Sequence, residues 1–447
     1  MSSARETMRI RRRWGVAFAL VLFAVACGDD DGGGGGAEAE GCDGEIPEGA
    51  EIQIQAHEGN EPEKLALEDF VEGFNASQDE VTASISFIPE ADYASSLAGA
   101  SAGGDLAGID VVEMDASFAF NYAWNGDLQP IESCAPDELT DDVLSSIVEQ
   151  GTYADRLWAL GMFDSGLGLW ASRSGLEGVG ARLPEHPADA WTVDEFNRIL
   201  ADLQASGIEQ PLDLKINYGG GEYYSYQLSP IVWSAGGDTI DRSGYETADG
   251  VLNTDDVVSA LENLQMWFEE GYVDLNEDDL AFIDGRSVIS WVGHWEYDRY
   301  SEALGDDLVL LPLPDFGEGS KTGQGSWQWA MGSEVDADAA WAFFEYLFAP
   351  EQIRAMAEAS GGIPALRSVA EDYELTAEGG PEFLYVVQHE EGYSEPRPPH
   401  PAYATISSAY NEAIATIVDG GDVRGALDEA VEVIDEDIED NDGYPEP

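Results

Sequence analysis

Lysine is nearly missing from this sequence. Of 447 residues, 19 are Lys or Arg against 90 Asp or Glu, for a formal charge of −71, and Lys64, Lys215 and Lys321 are its lysines. A surface this acidic repels phosphate backbones and anionic headgroups, which excludes nucleic acid as a partner and leaves a membrane reachable only through an anchor. The excess also works against the compact state unless salt screens it; at molar salt the Debye length is about 3 Å. The acids are spread along the chain, apart from residues 29–36 and 435–447, so they read as a solvated surface adapted to a salty medium. An acidic, metal-collecting surface is the alternative.

Other scarcities narrow the chemistry. The five histidines are scattered without metal-ligand spacing. No Ser sits in a G-x-S-x-G elbow. Gly219-Gly220-Gly221 runs into Glu222, which repels phosphate instead of cradling it. Asp274-Leu275-Asn276-Glu277-Asp278 starts like a calcium loop, but Asp279 stands where the turn needs Gly and no Glu closes it at the twelfth position. No cofactor and no metal is expected.

Long apolar runs are lacking too. The stretch 14–26 is too short to span a bilayer, which takes roughly 20 residues. It follows Arg5, Arg9, Arg11, Arg12 and Arg13, the layout of a secretory signal peptide over residues 1–26. Ala24-Val25-Ala26-Cys27 resembles a bacterial lipobox with Ala at its usual Leu position, so Cys27 is expected to carry lipid. Residues 29–36, all Asp and Gly, would follow as a flexible tether within 27–48. An ordinary signal peptide that happens to hold a cysteine is the alternative. With Cys27 acylated, Cys42 and Cys134 remain, and export permits one bridge between them without requiring it.

The remaining chain is long enough to split into two domains. Glu51-Ile52-Gln53-Ile54-Gln55 alternates as a strand. Pro62 opens a helix with Leu67, Phe70, Val71 and Phe74 on one face. Val81, Ala83, Ile85 and Phe87 alternate again, and Ile109 to Met114 form a strand ending at Asp115. Strand, helix, strand, helix, strand implies a largely parallel α/β sheet. Thr192 with Glu195, Thr254, Asp336 and Pro350 mark later helix starts, and Val423, Leu427, Ala430, Ile434 and Ile438 form a last apolar stripe. Trp158, Trp267 and Trp341 are assigned to the core.

Several segments then resemble one family in order. They are Ile109-Asp110-Val111-Val112-Glu113-Met114-Asp115, Gly126-Asp127-Leu128-Gln129-Pro130-Ile131, Ala190-Trp191-Thr192-Val193-Asp194-Glu195-Phe196, Phe282-Ile283-Asp284-Gly285-Arg286 with Gly293-His294-Trp295, Leu311-Pro312-Leu313-Pro314, and Gly361-Gly362-Ile363-Pro364-Ala365. Together they are similar to the sugar-type extracellular solute-binding proteins of ABC importers, over nearly all of residues 50–370; 197–250 match least. The resemblance implies a periplasmic-binding-protein-like α/β fold: two α/β lobes around a hinge, with ligand between them. Lobe 1 would comprise 49–160 and 322–362, lobe 2 161–321 and 363–447.

A neutral sugar needs aromatic planes for its C–H faces and planar charged groups for paired hydroxyls. Ligands of open α/β sheets bind at strand ends. The expected ligand residues are therefore His57, Glu58, Asp115, Phe118, Trp233 and Trp329, with Phe163, Asp164, Trp295, Trp327 and Arg367 placed by the resemblance. Alternation sets Trp327 and Trp329 on one face. Each has a plainer role open to it: core packing for the aromatics, helix capping for Asp115, a hinge ion pair for Asp164 and Arg367, exposed loop for His57 and Glu58. Tyr223, Tyr224 and Tyr226 can line the cleft or pack beneath it. The expected function is a non-catalytic, monomeric sugar binder, outside the cell membrane, that delivers its ligand to an ABC permease. A surface-anchored glycoside hydrolase or lyase, and a binder of cationic ligands such as polyamines, are the alternatives.

Overall fold

The computed structural model describes residues 42–102, 105–325 and 327–445. The leader over 1–26, Cys27 and the glycine tether at 29–36 lie outside the described residues. Among those described, no helix is long and apolar enough to cross a membrane.

In chain order the strands are β1 (Ala50–His57), β2 (Val81–Ile88), β3 (Val111–Asp115), β4 (Leu128–Gln129), β5 (Thr152–Tyr153), β6 (Arg156–Leu157), β7 (Ala159–Gly161) and β8 (Phe163–Asp164). They continue as β9 (Leu167–Ser172), β10 (Leu212–Asp213), β11 (Ile289–Gly293), β12 (Leu308–Leu311), β13 (Thr322–Gly323), β14 (Trp327–Gly332), β15 (Ile363–Pro364) and β16 (Ser394–Glu395).

The first sheet runs β2-β1-β3-β14-β4, with β7 also paired to β14. β1 buries Ile52, Ile54 and Ala56 by simple alternation. The helix Glu61–Ser77 begins at Asn60, whose side chain accepts from the Glu63 N–H while the Glu63 carboxylate accepts from the Asn60 N–H. Its buried Leu67, Phe70, Val71 and Phe74 lie against the sheet, with Phe343, Phe344 and Leu347 of the helix Ala337–Leu347. β1, β2 and β3 are parallel, as their helical crossovers require. The sheet is nonetheless mixed, since β14 is antiparallel to β3, β4 and β7.

The second sheet, β10-β11-β9-β12, pairs β10 with β11 in parallel and β9 antiparallel to both neighbours. Helices Val193–Ser206, Asp255–Glu269, Tyr403–Val418 and Val423–Asp440 cover it. Thr192 and Thr254 cap the first two through their hydroxyls. Trp191, Phe196, Trp267 and Trp291 are fully buried beneath them, with the Phe196 ring edge-on to Trp267 at 5.2 Å.

Short ladders join the two regions: β8 with β15, and β13 with β16. At the N-terminal edge Cys42 is bonded to Cys134, and the Asp338 carboxylate accepts from the N–H groups of Asp43 and Gly44. The Asp274–Asp284 segment holds a guanidinium where a calcium loop would hold an ion: Arg286 reaches Asp274 at 3.0 Å, Asp278 at 2.5 Å and Asp284 at 3.5 Å.

Candidate ligand-binding site

The strand ends of the first sheet assemble one wall. Because β14 is antiparallel to β3, its first residue, Trp327, pairs with the last residue of β3, Asp115. His57 ends β1 beside them, its ring stacked on Trp327 at 3.6 Å and 4°. His57 is no exposed loop residue: it is 4 % exposed, with Nδ1 2.8 Å from the buried Glu113 carboxylate. Tyr93 lies edge-on to Trp327 at 5.5 Å and donates to the Glu113 carbonyl. Burial, aided by the Glu113 charge, holds the Tyr93 hydroxyl protonated far above its ordinary range. Trp327 is thus backed by a fixed stack, with part of its surface open.

Trp329 takes a different part. It shares a face with Trp327, but further along β14 that face lies under the helices, so Trp329 is 1 % exposed and edge-on to Phe343. Glu58 is partly exposed and paired with Lys64 at 2.6 Å.

The end of β11 in the second sheet carries a second aromatic and charged group. β11 ends at Gly293, and the Trp295 ring lies so close that a Cβ on Gly293 would stand 2.1 Å from a ring carbon. Trp295 donates from Nε1 to the Tyr218 hydroxyl at 3.3 Å, and Tyr218 donates to Glu296 at 2.5 Å. Lys215, 1 % exposed, stands 3.2 Å from Glu296, 2.8 Å from Asp279 and 3.6 Å from Asp213. Burial pulls its pKa down, but these carboxylates outweigh burial and raise it, so the ammonium stays charged.

Arg397, 5 % exposed, ties the end of β3 to the start of the helix Glu222–Ser234. Its two Nη atoms bond the Asp115 carboxylate as a fork, at 2.7 and 2.8 Å. Nη1 also reaches Glu222, which accepts from Tyr403 at 2.6 Å and Ser407 at 2.5 Å. Burial raises the Glu222 pKa and Asp115 adds to this; Arg397 and the two hydroxyls oppose it. The guanidinium lies over the Tyr226 ring at 5.0 Å. A Cβ on Gly323 or Gly325 would come within 2.9 Å of that ring. Besides pairing with Arg397, Asp115 caps the turn Ala116–Phe118 by accepting from Ser117. Phe118 is edge-on to Tyr403 at 5.5 Å.

The other expected residues lie apart from this cluster. Phe163 is core at the β8–β15 crossing, edge-on to His294; burial depresses that imidazole to about 4. Asp164 is fully buried, accepting from the Ser165 N–H at 2.8 Å and lying 3.9 Å from His389, so it is internal to the crossing. Trp233 is buried in the helix Glu222–Ser234 and donates to Asp238. Arg367 is exposed at the start of the short helix Arg367–Ala370. The arginine that joins this cluster is Arg397, whose only sequence signal is a lone cation among prolines. Among the described residues, no group of three or more His, Cys, Asp or Glu is set to hold a metal ion.

Residues 69–380 match the family of bacterial extracellular solute-binding proteins. No curated protein matches the chain. Among solved structures, the cyclic α-maltosyl-1,6-maltose binding protein of Arthrobacter globiformis shares 21 % identity, with 88 % of this chain and 100 % of that one covered, at a TM-score of 0.70. The GacH receptor of Streptomyces glaucescens, solved unliganded and with acarbose, shares 18 % over 88 % and 98 %, at 0.71. Maltose-bound T. maritima MalE3 shares 17 % over 86 % and 99 %, at 0.73. The fold is therefore periplasmic-binding-protein-like, and the chain belongs to the bacterial extracellular solute-binding protein family.

Proposed function

We propose that this protein binds a mono- or oligosaccharide between two lobes and delivers it to the permease of an ABC importer. The observation that carries the reading is the convergence of Trp327 and Asp115 from one sheet with Trp295, Glu222 and Arg397 from the other side. That set offers aromatic faces for sugar C–H surfaces and planar charged groups for hydroxyl pairs. The maltose-type ligands named for the similar structures agree with it. The lobes would comprise 49–160 with 322–362, and 161–321 with 363–447. Ligand would favour the closed arrangement because only there does it touch both. The protein would act as a monomer without catalysis, held outside the cell membrane by lipid on Cys27.

Two observations weigh against the alternatives. Asp115 and Glu222 are bonded to one guanidinium, whereas hydrolysis needs two carboxylates facing each other across the ligand, about 5–9 Å apart. A buried arginine at the centre also disfavours a polyamine.

Thermal unfolding in about 2 M salt, where surface charge is screened, tests this against saccharides and polyamines. Ligand at about 100 times its dissociation constant adds about 2.7 kcal/mol. A raised midpoint with a saccharide recovered intact is the expected result. Cleaved sugar, or a response to polyamines alone, would overturn it.

A further inference from the structure

Lys215 is an unusual lysine, because it is buried and its charge is kept. Its Nζ stands 2.8 Å from Asp279, 3.2 Å from Glu296 and 3.6 Å from Asp213, over the rings of Tyr300 and Tyr218 at 5.2 and 5.5 Å. Charges taken out of water repay their desolvation poorly, so such a cluster is weak evidence for stability. What it specifies is the better question.

The backbone around it is committed as well. Lys215 and Asp279 are both left-handed, with φ +51° and +56°, a conformation that non-glycine residues keep only where their surroundings impose it. The Asp213 carboxylate accepts from the Lys215 N–H at 2.9 Å, and the Lys215 carbonyl accepts from the Tyr218 N–H at 3.0 Å, closing the turn Ile216–Tyr218.

A chain of bonds leads from this cluster to Trp295. Glu296 is held by Lys215 and, at 3.3 Å, by Arg299. It accepts the Tyr218 hydroxyl hydrogen at 2.5 Å. Burial, aided by the Glu296 charge, keeps that hydroxyl protonated far above its ordinary range. A phenol has one hydrogen to donate. With it committed to Glu296, the oxygen is left to accept, and the Trp295 Nε1–H donates to it at 3.3 Å. The indole is half-buried, close against Gly293 and tilted to Tyr226 at 6.3 Å.

We infer that Lys215 is a positioning residue for Trp295: through Glu296 and Tyr218 it holds the indole in a single orientation before ligand arrives. That the indole serves a ligand rests on the saccharide reading above; that Lys215 holds it does not. A side chain fixed in advance loses less conformational freedom on binding.

Fluorine NMR of the purified protein labelled with 5-fluorotryptophan, without ligand and in about 2 M salt, tests the hold. The Trp295 resonance is the one missing from Trp295→Phe. In Lys215→Met and in Tyr218→Phe it should broaden or shift, while the resonances of the fully buried Trp191 and Trp267 stay in place. A merely structural role would move those as well. Tyr218→Phe leaves Lys215 and its carboxylates intact, so it decides the matter if Lys215→Met does not fold. Calorimetric titration with maltose and mannobiose reads the consequence. Lys215→Met should weaken binding about tenfold in the wild-type background and less than about twofold in Trp295→Phe, which lacks the indole N–H, because residues acting through one contact do not add. An unchanged Trp295 resonance in a folded variant, or an equal loss of affinity in both backgrounds, overturns the positioning role and leaves the saccharide reading intact. A wild type that binds neither sugar counts against that reading alone, and the resonance still decides the hold.

Discussion

The Arg397 cluster yields the sharpest prediction. Arg397→Met keeps the bulk of the stem and removes the cation, leaving Asp115 and Glu222 enclosed without it. Breaking a buried ion pair from one side costs about 3–5 kcal/mol. Glu222 decides how that loss depends on pH. Burial already raises its folded pKa above the ordinary carboxylate value even with Arg397 in place. A carboxyl with a raised folded pKa favours the folded state at low pH, and that advantage is lost as pH rises from the unfolded value through the folded one. Without the arginine the folded pKa climbs further, so the variant should lose least near pH 4.5 and most near pH 8. Urea unfolding of both proteins at those two pH values, in about 2 M salt, measures this; salt suppresses surface pairs and screens buried ones much less. Replacing Asp115 by Asn and Glu222 by Gln in the same variant should restore most of the stability. A loss below about 1 kcal/mol, the magnitude of an exposed pair, or an equal loss at both pH values, would refute the reasoning.

Three further outcomes are expected. Trp329→Ala should destabilise by about 3–5 kcal/mol as a core truncation, while Trp327→Ala acts mainly on ligand affinity, and paired unfolding and titration experiments separate them. Gly293→Ala should displace the Trp295 ring, visible as altered tryptophan fluorescence, and should weaken saccharide binding; unchanged emission would count against it. Cys42→Ser should lower stability by about 2–4 kcal/mol, and the wild type in reductant should unfold at the variant's midpoint.

Much of the chain's local structure was legible from residue patterns. The alternation in Glu51-Ile52-Gln53-Ile54-Gln55 falls within β1, and the faces read around Leu67, Thr192 and Thr254 are the buried faces of their helices. The candidate cluster was legible in part. Asp115, Trp295 and Trp327 stand at strand ends or motif ends, where local pattern and chemistry coincide. Trp329 was misjudged because alternation specifies a face but not what covers it. Arg367 is legible from its local motif, whereas Arg397 carries no motif. Ser394 to Pro401 has no periodicity to mark it, and nothing in the local sequence marks Lys215 as buried among Asp213, Asp279 and Glu296.

Residue pattern alone specified several of the strands and helices, several caps, the acidity of the chain, and the Gly293-His294-Trp295 motif. Those properties depend on neighbours within a few residues, where backbone geometry and hydrophobic period act directly. Long-range packing settled that β14 enters antiparallel beside β3, so that Trp327 meets Asp115, and that Arg397 bridges Asp115 and Glu222. Strand register and the pairing of buried charges are set by partners hundreds of residues away, and they take effect only once the intervening chain has packed.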